Sequence, residues 1–410
     1  MKTGTLRVRS VGVLAAFGCL VALGAGACGD DDVPLGSLEG DASSDADADS
    51  TMGEPDATRT VGLDASTDAD ADVDVDAASP TCSIDGYCHT TLPSPQTLRD
   101  VWSDGLGVAW AVSAQGNILR WDGASWSIVH TVPGRLLAIW GSGPTDLWAG
   151  GDDGLFHGTG ATSSAIMWAA VATPGDATIP INSIWGTGPT DVWAVGRPQP
   201  PSRPRVGRVL HFGGDGGDGA PTWSVDSLSL QPIGFIEVWG SSGSDVWIGG
   251  DRGSSGREQG VVFRRTSSSG GTSWSEVALP LDANGGRLRL FTTGGSASPD
   301  DVWVFGTSTS SATTIWRGTR SDGGVFGWTV EATLAVATWA VRGTSRSDAW
   351  SAGDYGRIRH WDGSGWTQAR ITVTSFPFTR PFYATWGGAA GELWFVGEDV
   401  ALHRPASSNP

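Results

Sequence analysis

The sequence has 410 residues and a net charge of −18, and it combines 61 glycines and 22 tryptophans with only 17% charged residues. No long stretch carries the 3.6-residue apolar period of a helix, which excludes a helical bundle; short apolar runs separated by glycine favour an all-β fold. Residues 81–410 carry 28 acidic and 22 basic residues, a mildly acidic balance that argues against nucleic-acid binding.

Residues 1–27 have the organisation of an export signal. Lys2, Arg7 and Arg9 form a basic start, residues 11–23 are apolar, and small residues at 25–27 precede Cys28. The apolar run of 13 residues is too short for a membrane-spanning helix, which needs about 20 residues. We therefore expect this segment to direct export and to be removed.

Cys28 is the expected attachment point of a lipid. Residues 25–27 suit ordinary signal peptidase, whereas small residues followed by Cys resemble a bacterial lipobox in which Ala25 replaces the usual Leu or Val. If Cys82 pairs with Cys88, Cys28 is left over in the mature chain, and acylation accounts for it. A free or intermolecular thiol at Cys28 is the alternative.

Residues 28–81 are predicted to be a disordered tether. Residues 29–80 contain 16 acidic residues, one basic residue and no aromatic residue. Such a segment cannot bury enough apolar surface to offset the entropy of ordering it, and its charges repel one another. The chain would then contact the membrane only through its N-terminal lipid.

A repeat fills residues 97–404. Its clearest copies are IWGSGPTDLW at 139–148 and IWGTGPTDVW at 184–193, and its second Trp recurs seven times, 38 to 56 residues apart. A four-stranded propeller blade takes about 40–50 residues. Each unit offers short strands separated by Gly and Asp-Gly turns. The sequence predicts an all-β, seven-bladed β-propeller of four-stranded antiparallel blades over 82–405, monomeric, with a disordered tail at 406–410.

The last unit ends after its third strand, and the segment before the first unit replaces the missing fourth strand. Tyr87 lies 23 residues before Trp110, and the fourth-strand tryptophans lie 22 to 29 residues before the next unit's Trp. We expect residues 86–91 to complete blade seven and hide both sheet edges, with a Cys82–Cys88 disulfide bracing the segment.

The tryptophans fill the gaps between blades in this interpretation, since large flat side chains suit wedges that widen outward. A sugar-binding platform would need Trp outside the repeated positions. Trp121, Trp316 and Trp361, on third strands, are the remaining candidates for that role.

Units such as WGTGPTDVWAVG at 185–196 resemble the Trp-rich propeller repeats of secreted Gram-negative lipoproteins, and more distantly sialidase-type and photosystem-assembly-factor propellers. WD40 and Kelch repeats match less well, because their Gly-His, Trp-Asp and Gly-Gly signatures are missing or misplaced. The resemblance implies a lipoprotein of the outer membrane of a Gram-negative bacterium, either periplasmic or exposed at the surface.

No residue pattern indicates catalysis, a metal or a cofactor. A sialidase needs three arginines, a Tyr–Glu pair and an acid, and the only tyrosines are Tyr87, Tyr355 and Tyr383. Four of the six histidines (His157, His211, His360 and His403) recur on third strands, so the repeat explains them better than zinc does.

The loops between second and third strands carry the candidate ligand-binding residues. Two of them are long, 197–207 and 251–260, and both are rich in arginine, which recognises carboxylate and phosphate. The candidates are Arg197, Arg203, Arg205, Arg252 and Arg257. Solvated loop charges with no ligand are the alternative.

Three functions are compatible with this pattern. The first is a non-catalytic binding or scaffolding module for a protein or glycan of the cell envelope. The second is a polysaccharide-active hydrolase or lyase, which two carboxylates and a Tyr at the mouth of the ring would favour. The third is an inert surface-coat protein.

Overall fold

The computed structural model describes residues 81–199, 205–216, 220–254, 256–268, 271–310, 313–321, 324–373, 377–388 and 391–406. These residues form seven four-stranded antiparallel sheets, which confirms the predicted fold class. Several predicted features lie outside the described residues: the signal peptide, the lipid site at Cys28, most of the tether, Arg203 and residues 407–410.

Each of the first four blades follows the chain order, first strand to fourth. Blade one comprises β2 (Leu98–Ser103), β3 (Ala109–Ser113), β4 (Asn117–Trp121) and β5 (Trp126–Thr131). Blade two comprises β6 (Leu136–Gly143), β7 (Asp146–Gly151), β8 (Gly154–Thr159) and β9 (Met167–Val171). Blade three comprises β10 (Ser183–Gly188), β11 (Asp191–Gly196), β12 (Arg208–Gly216) and β13 (Ala220–Val225). Blade four comprises β14 (Ile233–Ser242), β15 (Asp245–Arg252), β16 (Gln259–Ser268) and β17 (Gly271–Glu276).

Blades five and six repeat that order, and blade seven borrows its fourth strand from the other end of the domain. Blade five comprises β18 (Leu288–Ser298), β19 (Asp301–Ser308), β20 (Thr313–Arg320) and β21 (Phe326–Leu334). Blade six comprises β22 (Thr338–Ser345), β23 (Asp348–Gly353), β24 (Ile358–Trp361) and β25 (Trp366–Gln368). Blade seven comprises β26 (Phe382–Gly387), β27 (Leu393–Gly397), β28 (Val400–Arg404) and β1 (Cys88–His89).

The described residues also form two short 3₁₀ helices, Ser227–Leu230 and Asp354–Gly356. No helix in this part of the chain is long and apolar enough to cross a membrane.

First strands of successive blades contact one another around the ring, and β26 contacts β2, which closes it. Gly follows the first-strand Trp in several units because the Trp of the preceding blade occupies the space of a side chain. A Cβ on Gly141 would lie 3.0 Å from the Trp102 ring, and one on Gly186 would lie 2.9 Å from the Trp140 ring. The Trp-Gly pair is therefore a packing device between neighbouring blades.

Second-strand tryptophans build the outer contacts between blades. Each of the seven is buried and packs edge-on against the fourth-strand aromatic ring of the next blade, with ring centroids 5.1 to 6.3 Å apart. Six of these partners are tryptophans, and the seventh is Tyr87, which packs on Trp350. Edge-to-face pairs add about 0.5–1.5 kcal/mol beyond the burial of their surface.

The predicted closure of blade seven is confirmed. Cys88 pairs with His403 and His89 pairs with Leu402, and the Thr90 N–H donates to the Ala401 carbonyl at 3.0 Å. The regular strand is shorter than residues 86–91, because it covers only two residues. Cys82 and Cys88 form the expected disulfide.

Candidate functional site

The seven sheets have two unlike ends. In an antiparallel blade, the turns from first to second strand lie at one end, and the loops from second to third strand lie at the other. We call the second end the loop face. Four of the five predicted arginines are described, and all four lie at this face: Arg197 and Arg205 between β11 and β12, Arg252 at the end of β15, and Arg257 in the hairpin between β15 and β16.

Arg197 is an internal ion-pair partner and is not available to a ligand. Its Nη1 donates to Asp251 Oδ2 at 3.0 Å, and the two side chains are largely buried. Asp251 Oδ1 accepts the Phe291 N–H at 2.9 Å, so the pair links blades three, four and five. Burial raises the pKa of Asp251 and lowers that of Arg197, as expected for two charges withdrawn from water.

Arg252 is also paired, and it lies in β15 and not in the loop. Its two terminal nitrogens donate to the Glu276 carboxylate at 2.7 and 2.8 Å, and its Nε donates to Gln259 at 3.1 Å. The pair is partly exposed, with a third or more of each side chain accessible to solvent. Water therefore screens it, and its contribution to stability is at most about 1 kcal/mol.

Arg205 and Arg257 meet Arg252 around one open cavity of about 480 Å³. We call this the arginine cavity; its lining also includes Pro232, Gly253, Ser254 and Gln259. The side chains of Arg205 and Arg257 make no ion pair or hydrogen bond with any residue that the structure describes. The structure thus brings three of the five predicted arginines together, from two adjacent blades.

Arginine supplies all 22 positive charges of residues 81–410, which contain no lysine. The planar guanidinium holds carboxylate or phosphate through two parallel hydrogen bonds, whereas an ammonium group acts as a point charge. The arginine cavity is therefore suited to a planar anionic group.

A central channel runs between the seven first strands. It encloses a cavity of about 230 Å³ lined by residues of β2, β6, β10, β14, β18, β22 and β26. The charged or titratable residues in the described lining are Asp100, Glu237, Tyr383, Arg99 and Arg342. The sequence did not single out Asp100, Glu237 or Arg99.

Asp100, Ser183 and Glu237 share one structural position in their blades, two residues before the first-strand Trp. Each side chain accepts the backbone N–H of the next blade's first strand: Asp100 from Ile139 at 2.9 Å, Ser183 from Val238 at 3.2 Å, and Glu237 from Gly294 at 2.7 Å. These N–H groups would otherwise lack a partner at an inner sheet edge. Burial raises the pKa of Asp100 to about 7 and that of Glu237 to about 8.

Arg99 and Arg342 flank the first strand of blade seven. The Arg99 guanidinium lies 4.4 Å from the Tyr383 ring centroid, and that of Arg342 lies 4.2 Å from the Trp386 ring. Burial lowers the pKa of Arg342 to about 10, so it remains charged at neutral pH. Sequence offered one signal here, because Arg342 replaces the first Trp of its unit.

The repeated histidines are part of the blade framework. His157, His211, His360 and His403 each stack on the second-strand Trp of their own blade at 4.0 to 4.1 Å, and each hydrogen-bonds an acidic residue. Arg264 and Arg317 take the same position in blades four and five, over Trp247 and Trp303. No group of three potential metal ligands occurs within the described ranges.

The three candidate platform tryptophans are in the core. Trp121, Trp316 and Trp361 are 8%, 0% and 4% exposed, so none of them presents a ring face to a sugar.

Together, the fold and its loop face define a seven-bladed β-propeller with an arginine-lined cavity and a charged central channel. No family model matches this sequence, and no curated protein is similar enough to count as a relative.

The chain is similar in fold to several solved propellers. Streptogramin B lyase aligns over 77% of this chain and 96% of its own, with a TM-score of 0.54 and 14% identity. The structure of YCF48 bound to D1 peptide aligns over 80% of this chain and 99% of its own, with a TM-score of 0.54 and 15% identity. The WD40 propeller of Doa1 aligns over 78% and 96%, with a TM-score of 0.53 and 11% identity. At these identities the likeness shows the fold alone.

Proposed function

We propose that this protein is a non-catalytic binding module of the cell envelope that holds a carboxylate-bearing partner in the arginine cavity. The observation that carries the proposal is the meeting of Arg205, Arg252 and Arg257 around one open cavity. The side chains of Arg205 and Arg257 form no ion pair or hydrogen bond with a described residue, and the charge of Arg205 acts on Asp251 and Glu258 only at longer range. Concentrating positive charge in this way favours an anionic partner.

An acidic polypeptide segment is the partner class that we favour. The cavity lies on loops at the surface of a rigid ring, which is where propellers and other scaffolds commonly place recognition residues. A related fold, YCF48, has been solved with a peptide bound. An acidic glycan is the other partner class that the same guanidinium groups would accept.

The test is titration calorimetry with a short glutamate-rich peptide and with the same peptide after amidation of its carboxylates. Each charge-assisted hydrogen bond contributes about 1.5–3 kcal/mol. Replacing Arg205 and Arg257 together by Gln should therefore weaken binding at least about tenfold. Arg346→Gln, an exposed arginine at the opposite end of the ring, is the matched control and should bind as the unmodified protein does.

Equal losses in the double variant and in Arg346→Gln would mean that general charge, and not the arginine cavity, attracts the peptide. Binding of a hexuronate oligosaccharide without binding of the peptide would move the partner to the glycan class.

A hydrolase or lyase is the second candidate function, because Asp100, Glu237 and Tyr383 share the channel. The carboxyl groups have raised pKa values, as catalytic acids often do. Asp100 and Glu237 also accept backbone N–H groups of the next blade's first strand. These hydrogen bonds between blades explain why the two acids lie in the channel without a catalytic role. Turnover of an acidic polysaccharide that Asp100→Asn and Glu237→Gln both abolish would favour catalysis.

The envelope location depends on lipidation of Cys28. We expect Cys28→Ala to release the protein from the membrane fraction or to leave its signal unprocessed. Unchanged membrane partitioning of Cys28→Ala would contradict the lipid anchor.

A further inference from the structure

Two guanidinium groups face the central channel without an acidic hydrogen-bond partner. Arg99 Nε is shielded from solvent and hydrogen-bonds to nothing that the structure describes. Arg342 lies on the Trp386 ring, and it too has no hydrogen bond to a described residue. Stacking on an aromatic ring leaves the N–H edges of a guanidinium available to an acceptor.

Hydroxyl groups in the same lining also lack partners. The side-chain oxygens of Thr292, Ser296 and Thr385 are buried and hydrogen-bond to no described group. Leaving a buried polar group unpaired is costly, so unsatisfied groups in a native fold call for an explanation. A bound acceptor inside the channel would satisfy the arginines and any of these hydroxyl groups within its reach.

The channel is small and its charge balance favours an anion. Its volume of about 230 Å³ is below the range of drug-sized ligand sites, roughly 300–1,000 Å³. Asp100 and Glu237 are the acids that oppose the arginines, and both already accept backbone N–H groups. Burial raises the pKa of Asp100 to about 7 and that of Glu237 to about 8, so lowering the pH toward 6 reduces the negative charge that opposes Arg99 and Arg342.

We propose that the central channel binds a small oxyanion, a carboxylate or an inorganic phosphate, through the guanidinium groups of Arg99 and Arg342. This site is separate from the arginine cavity on the loop face. It would also stiffen the junction between blades one, six and seven, because the two arginines belong to β2 and β22 and stack on residues of β26.

Titration calorimetry with malonate and with inorganic phosphate tests the proposal and distinguishes the two sources of oxyanion. We expect one site per chain at pH 6 for at least one of the two probes. Arg99→Gln and Arg342→Gln should each weaken binding tenfold or more. Arg257→Gln, in the arginine cavity, should leave the affinity unchanged, so failure here is distinguishable from failure of the proposed function.

The pH profile gives a second readout. Ionisation of Asp100 and Glu237 adds two negative charges to the channel, so affinity should fall as the pH rises from 6 to 9. Replacing the two acids together by Asn and Gln keeps an oxygen acceptor for each backbone N–H and should flatten the profile.

Two results would overturn the proposal. One is the absence of binding by either probe to the unmodified protein at pH 6. The other is full affinity in Arg99→Gln, a variant that breaks no hydrogen bond to a described residue and so should fold.

Discussion

Replacing Tyr87 by Ala tests whether the N-terminal segment closes the ring. Tyr87 is 1% exposed, and its ring packs edge-on against Trp350 at 6.3 Å and Phe395 at 5.9 Å. Removing a buried aromatic side chain costs about 3–5 kcal/mol. That is a large share of the 5–15 kcal/mol or so that typically separates folded from unfolded protein.

The expected shift in melting temperature follows from the size of the domain. An unfolding entropy of about 2.1 cal/mol/K per residue gives about 0.7 kcal/mol/K for a ring of about 325 residues. Tyr87→Ala should therefore lower the midpoint by about 4–7 °C in differential scanning calorimetry. Tyr355→Ala is the matched control, since Tyr355 is 63% exposed, and it should change the midpoint little.

A midpoint for Tyr87→Ala that matches the control would mean that the segment is not part of the cooperative unit. Deleting residues 82–92 should destabilise the domain further, because it also removes β1 and the disulfide. That disulfide closes a short loop, and loop-closure entropy gives it about 2 kcal/mol. Deleting residues 40–75 of the predicted tether should leave the midpoint unchanged.

Two further predictions concern the repeat. Gly186→Ala should lower the free energy of unfolding by about 1–3 kcal/mol, because the new Cβ would lie 2.6 Å from the Asp191 carbonyl oxygen and 2.9 Å from the Trp140 ring. Gly188→Ala is the control and should be nearly neutral, because no atom lies within 4 Å of the new Cβ. Equal urea midpoints for the two variants would contradict the packing between blades. The hydrogen bond from His211 holds the pKa of Asp191 below its usual value. The pair therefore stabilises the folded protein fully at pH values above the pKa of Asp191 in the unfolded chain, about 3.9. This stabilisation is lost as the pH falls through the lower pKa of Asp191 in the folded protein. Stability against urea should therefore fall more steeply below about pH 4 in the unmodified protein than in Asp191→Asn, and parallel curves would show that the pair contributes nothing.

The ring could be predicted from the sequence because its packing repeats. Seven tryptophans at blade spacing fix the number of blades, and the missing strand after Arg404 points to Tyr87 as its replacement. Fourth-strand aromatic residues each meet a Trp of the preceding blade, so one spacing rule predicts the whole contact set.

The channel and the pairing of the arginines could not be predicted in the same way. Asp251 and Glu276, which pair with Arg197 and Arg252, lie on strands whose register only the folded blades define. Arg99 and Arg342 are 243 positions apart and approach the same strand because the ring closes. The spacing of Asp100 and Glu237 before their tryptophans was visible, but its meaning depends on the N–H groups of the next blade.

Photo-crosslinking in intact cells tests most directly whether the loop face is the binding surface. A benzophenone amino acid would replace Ser254, at the rim of the arginine cavity, or Ser345, exposed at the opposite end of the ring. We expect a discrete crosslinked envelope protein from position 254 that is absent from position 345 and is lost when Arg205 and Arg257 are both replaced by Gln. Crosslinks only from position 345, or crosslinks from position 254 that persist without the two arginines, would contradict it.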